Sequence, residues 1–158
     1  MPGRLHRPAK WGKKMNKYAK DQQELRRICA NLTFAKQLGL IDDDSLEAAE
    51  ERCRRENACR AEKLAAGEVV YGLTAYPLPA YLQYECTRFQ LAFTGESRAV
   101  QYNYAPITTR DEKAYYKANK DLFTRYMGDK FRFREARQIV HKKMREEEYH
   151  RAIQDLLR

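Results

Sequence analysis

The chain has 158 residues, of which 34% are charged, and only seven are Gly and five Pro; this fits one domain with a real core and favours helices over a sheet sandwich. The net charge of +9 is uneven, because residues 1–20 hold seven Lys or Arg and no acid while the rest carries 24 basic and 22 acidic groups. The basic balance therefore describes an arm, which weakens the case that the body binds nucleic acid. No stretch approaches a membrane span and no signal-peptide core opens the chain, so as given it reads as cytoplasmic, or extracytoplasmic if a leader has been removed.

Residues 1–20, with Pro2, Gly3, Pro8 and Gly12 among the basic groups, read as a flexible arm in which Trp11 and Tyr18 are possible anchors. Residues 21–158 read as the helical domain. From Asp21 to Leu38 the apolar residues Leu25, Ile28, Cys29, Leu32, Ala35 and Leu38 recur at helical spacing, and Gly39 ends the run.

The long central helix begins near Asp44 or Ser45, either of which can cap it, and Gly67 can close it. One face carries Leu46, Ala49, Cys53, Asn57, Arg60 and Leu64, with Glu56 at its edge. That face is apolar at both ends and polar in the middle. Either the stripe is shallow and its polar groups reach water, or they are partly buried against backbone, because unpaired they would cost about 1–3 kcal/mol each. The nearest such backbone is Val69 to Gly72, so Glu56, Asn57, Arg60, Tyr71 and Gly72 form a candidate polar clamp. Its role is architectural.

After two prolines, Leu78, Leu82, Cys86, Phe89 and Phe93 form the stripe of a further helix that ends at Thr94-Gly95, with Tyr81 and Tyr84 off the stripe. Val100, Tyr102 and Tyr104 alternate with polar residues, so a short extended segment is possible there and any strand is confined to short pairs around 68–72 and 99–104. Thr109 to Glu112 reads as a capping box opening a helix with Tyr115 and Tyr116. Leu122, Phe123, Tyr126 and Met127 form an apolar cluster before the Gly128-Asp129 turn.

A last helix runs from about Arg134 to Leu157, and its apolar face changes direction. Ala136, Ile139, Val140 and Met144 lie on one side; Tyr149, Ile153, Leu156 and Leu157 continue on a stripe rotated by far more than a straight helix allows for one partner surface. The second stripe must meet a different part of the chain, a second copy or a missing domain, and a homodimer is the expectation. The fold class is thus all-α: a single helical domain with a long central helix and a long closing helix.

Cys29, Cys53, Cys59 and Cys86 lack metal-binding spacing and read as free thiols, buried where they lie on the Cys53 and Cys86 stripes. His6, His141 and His150 have no partner at informative spacing, and there is no phosphate loop or nucleophile elbow. Neither catalysis, a metal nor a cofactor is expected.

The order of motifs resembles a known family. RRENACR (Arg54 to Arg60), VVYG (Val69 to Gly72) and the Tyr-rich helix through Tyr81 and Tyr84 resemble bacterial peptidyl-prolyl isomerase-like lipoproteins. ITTRDEKAYYKANKDLF (Ile107 to Phe123) and FRFREARQIVHKKMREEEYHRAI (Phe131 to Ile153) are similar to the helical chaperone part of SurA-like, parvulin-associated foldases. The resemblance implies a helical module handling extended polypeptide outside the cytoplasm. It does not imply isomerase activity, since the chain as given has no room for a parvulin catalytic domain.

The functional expectation is a non-catalytic chaperone-type module that binds extended polypeptide in an aromatic-lined groove, with Tyr81, Tyr84, Tyr115 and Tyr116 as contact residues. Tyr149, Ile153, Leu156 and Leu157 are the candidate interaction face. The alternative is nucleic-acid binding through the arm together with Arg132, Arg134, Arg137, Lys142, Lys143 and Arg145.

Overall fold

The computed structural model describes residues 22–125 and 128–158. The basic arm with Trp11 and Tyr18, and the pair Tyr126 and Met127, lie outside them. Five α-helices follow in order: α1 Gln22–Gln37, α2 Leu46–Ala65, α3 Leu78–Thr94, α4 Thr109–Ala118 and α5 Phe133–Leu157, with a short 3-10 turn at Lys120–Phe123. Among the described residues there is no strand; one isolated bridge joins Thr124 and Lys130. Neither of the two places left open to a short pair, 68–72 and 99–104, forms one. The first segment is held mainly by side chains, and the second bonds through Gln101 N–H to Leu38 O at 2.8 Å and through Val100 N–H to Ser97 O at 3.0 Å.

The caps follow from local chemistry. Ser45 opens α2, its hydroxyl accepting from the Ala48 amide. At the other end Gly67 takes φ +75°, and bonds from Gly67 N–H to Leu64 O and from Glu68 N–H to Lys63 O complete a Schellman close. The capping box of α4 sits one residue earlier than its sequence suggests: Thr108 is the cap and Asp111 its reciprocal partner. Glu112 is thereby freed to turn inward, where it is buried. Helix α3 ends at Thr94 with Gly95 as its C-cap, as expected. The left-handed residue after it is Glu96, at φ 50°, rather than Gly95.

Helix α1 is the axis of the fold. Leu25, Ile28, Leu32 and Ala35 meet Leu46 and Ala49 of α2 and Leu82 and Phe89 of α3. Its other face, Ala30 and Phe34, together with Leu38 just past its end, meets Phe93, Val100, Tyr149 and Ile153. A third cluster, Phe123, Ala136 and Val140, closes α4 and the 3-10 turn onto α5. Helix α5 is continuous, and its two stripes serve two clusters: Ala136 and Val140 face α4, while Tyr149 and Ile153 face α1 and α3, with Leu156 and Leu157 packed at the margin. The rotation of the stripe thus has an intramolecular cause. The side chains that argued for a second copy are occupied inside the chain, and Ile139 is exposed rather than part of the first stripe.

Candidate protein-binding site

The polar middle of α2 is built around one irregular segment, Glu68 to Pro77. Asn57 makes two bonds to the backbone of Tyr76, its amide donating to Tyr76 O at 2.9 Å and its carbonyl accepting from Tyr76 N–H at 2.7 Å. One turn on, Arg60 donates to Glu56 Oε1 at 2.9 Å and, through one guanidinium nitrogen, to Tyr71 O at 2.8 Å and Leu73 O at 2.9 Å. Two carbonyls separated by one residue converge on a single nitrogen because Gly72 between them takes φ +82°, a conformation that costs a residue with a Cβ roughly 1–2 kcal/mol. The second guanidinium nitrogen reaches the Tyr76 hydroxyl at 3.2 Å. Arg60 is buried as a result, while Leu64, at the end of the same stripe, is exposed.

Each expected clamp residue is therefore in this cluster, with one change of partner. Arg60 grips the Tyr71–Leu73 turn, whereas Asn57 holds Tyr76. Sequence reasoning passed over Tyr76, although its place before Pro77 marked it as extended backbone, unable to continue a helix and in need of bonds elsewhere. Its ring stacks on Tyr84 with centroids 5.0 Å apart and lies 4.6 Å from the Arg60 guanidinium carbon.

Beneath this layer lies a second polar lock. Glu85 is buried on α3 and takes a bidentate pair from Arg52, at 2.6 and 3.1 Å, and a bond from the Tyr81 hydroxyl at 3.1 Å. Burial, followed by the neighbouring Glu85 carboxylate, pushes the Tyr81 phenol far up. The signal was in the sequence: an acid at position 85, between Leu82 and Phe89, occupies core spacing and calls for a buried partner.

The four tyrosines expected to line one groove fall into two groups. Tyr81 is 4% exposed and Tyr84 half-buried beside Tyr76. Tyr115 and Tyr116 are half-buried against Phe123. Tyr116 donates to Phe131 O, and Tyr115 to Glu147 Oε1 at 2.6 Å. The two groups border different grooves: Tyr115 borders an open one of about 600 Å³ between α4 and α5, and Tyr81 borders another of about 410 Å³. Tyr115 is pushed up to about 12 by burial and by Glu147.

The polar groups of α5 also have partners that spacing did not reveal. Arg145, buried, donates to Glu96 at 2.6 Å, to Glu148 at 2.7 Å and to Ala105 O at 2.8 Å. The Arg145 guanidinium holds the Glu96 carboxyl below its ordinary range. His141 lies between Glu112 and Glu96, 3.1 Å from each, and Arg137 meets Glu112 at 2.7 Å. Three of the six basic groups on or beside this helix that could have met phosphate, Arg137, Lys143 and Arg145, are thus already paired with carboxylates. Burial raises the Cys53 and Cys86 thiols, the latter to about 12; Cys59 is exposed.

No family model matches the sequence. Over 126 residues, 80% of this chain, it is 31% identical to a chaperone for lacto-N-biosidase from Bifidobacterium longum subsp. longum, and spans 44% of that relative's length. In fold, 84% of the chain matches 27% of a chain of GH136 lacto-N-biosidase from Eubacterium ramulus, with TM-score 0.70 and 24% identity. The selenomethionine form of that protein gives TM-score 0.67 over 83% of this chain, at 25% identity, again covering 27% of the enzyme chain. These similarities are to a chaperone and to a helical part of a lacto-N-biosidase chain. Neither is to a parvulin-associated foldase.

Proposed function

We propose that this chain is a non-catalytic, chaperone-type helical module whose protein partner is an enzyme of the lacto-N-biosidase class. The observation that carries the reading is a double similarity. The sequence matches a chaperone for such an enzyme, and the fold matches about a quarter of a chain that is itself such an enzyme. A helical unit similar both to a chaperone for such an enzyme and to part of an enzyme chain fits a structural companion that acts on the remainder of the enzyme.

The chemistry of the module agrees with this role. Its buried acids are committed to structural partners, Glu85 to Arg52 and Glu112 to Arg137 and His141. A role in holding polypeptide, which the resemblance to SurA-like foldases also implied, is retained in this broader form, with a folding enzyme as the client. Co-expression with the lacto-N-biosidase served by the Bifidobacterium relative is the test. The expected result is a rise in soluble, active enzyme over an empty-vector control; unchanged enzyme yield and activity would overturn the reading.

A further inference from the structure

We propose that the turn from Val69 to Leu73 is a preformed docking ridge, which seats in an apolar pocket on the folded surface of the partner enzyme. The proposal rests on the functional reading above. Its basis is an imbalance between what the molecule invests in this turn and what the turn buries. Val69 is 75% exposed, Tyr71 84% and Leu73 50%. Three apolar side chains within five residues face water, although their backbone is fixed by a buried arginine.

A loop that only connected α2 to α3 would need no such lock. Exposed backbone is satisfied by water, and an exposed loop tolerates polar side chains at every position. Here the two carbonyls are drawn inward to Arg60, and Gly72 supplies the left-handed conformation that lets both reach it. A Cβ at Gly72 would stand 3.2 Å from the Tyr76 hydroxyl, a tighter contact than most side chains make. With the carbonyls turned in, the side chains of Val69, Tyr71 and Leu73 are left outward. The amides of Val69 through Leu73 donate to no group among the described residues.

The shape and charge of the ridge select the occupant. Side chains as exposed as Val69 and Tyr71 stand out from the turn, so their complement is a concave apolar pocket; a folded surface offers that and an extended chain does not. Its immediate neighbours are of mixed sign, Glu62, Lys63 and Glu68, so recognition is apolar, with the Tyr71 hydroxyl as the polar handle. The match of this fold to 27% of a lacto-N-biosidase chain leaves the larger part of that chain as the body such a unit adjoins. Fixing the turn in advance removes ordering cost at binding.

The test uses the lacto-N-biosidase served by the Bifidobacterium relative, with wild type, Val69→Ser/Tyr71→Ser and Arg60→Met as the companion chain. Soluble enzyme activity and affinity for the folded enzyme are measured, with the same enzyme unfolded in urea and diluted as a second probe, and sedimentation of the companion alone as a third. Wild type should bind the folded enzyme in preference to the unfolded one. The double serine variant should melt with wild type yet lose affinity by roughly 30-fold or more. Arg60→Met, which keeps the ridge side chains but frees their backbone, should lose less. Unaltered affinity of the double variant, preference for the unfolded enzyme, or a double variant that changes only self-association would each overturn the ridge while leaving the functional reading intact. Failure of wild type itself to raise enzyme yield would overturn that reading instead.

Discussion

Two buried arginines each fix an irregular segment through backbone carbonyl and carboxylate oxygens, and they do so to opposite ends. Arg145 on α5 takes Glu96, Glu148 and Ala105 O, and the segment it fixes turns its apolar side chains inward, with Val100 buried and Tyr104 packed on the same cluster. Arg60 on α2 takes Glu56, Tyr71 O and Leu73 O, and the segment it fixes turns Val69, Tyr71 and Leu73 outward. The chemistry is shared: a guanidinium supplies several donors in a planar fork and satisfies carbonyls that no strand or helix pairs. The consequence differs. At Arg145 the lock completes the core, whereas at Arg60 it shapes a surface.

That contrast can be broken most forcefully at Arg145. Arg145→Met should lower the unfolding free energy by about 3 kcal/mol, because two carboxylates and a carbonyl lose their shared partner; a denaturant melt within experimental error of wild type would remove the core-completing role. Asn57→Leu should cost less, about 2 kcal/mol, since it strands only the Tyr76 N–H and carbonyl. If stability rises instead, the polar middle of α2 is a solvated stripe and not a clamp.

A smaller effect is expected from pH. The Glu96 carboxyl is held below its ordinary value of 4.5 in the fold, chiefly by Arg145. Its pairing therefore stabilises the native state above the unfolded-state value and is lost as pH falls through the lower, folded one. Glu96→Gln should be less stable than wild type at neutral pH, and the two should converge as pH drops below about 4. Parallel stability curves down to acid would show that the ion pair contributes nothing. The carboxylate is two-fifths exposed, so solvent screens much of the effect.

The helices were legible because periodicity reports which face is buried, and a stripe with Asn57 and Arg60 at its centre announced polar partners. The identity of those partners was only half legible. Chain proximity pointed to Tyr71, while Tyr76 is reached across a turn whose shape depends on Gly72, and spacing does not encode that. The rotated stripe of α5 stated correctly that two surfaces were needed, yet could not say that both belong to the same chain. Tyr81 misled for a physical reason: its hydroxyl finds a buried acceptor, Glu85, so it packs as core although it lies off the apolar stripe. Arg145 and His141 were opaque because their partners come from positions 96, 105 and 112, on other elements.

On the proposed reading, the clamped turn is a surface kept ready for a folded protein. Hydrogen–deuterium exchange, followed by mass spectrometry on this chain alone and bound to the lacto-N-biosidase, tests it most directly. In the free chain the amides of Val69, Val70, Tyr71 and Leu73, which donate to nothing among the described residues, should exchange fast, and in the complex they should be strongly slowed, with little change from Ser97 to Tyr104. Protection confined to the groove between α4 and α5, with the amides of the turn still exchanging as fast as in the free chain, would contradict it.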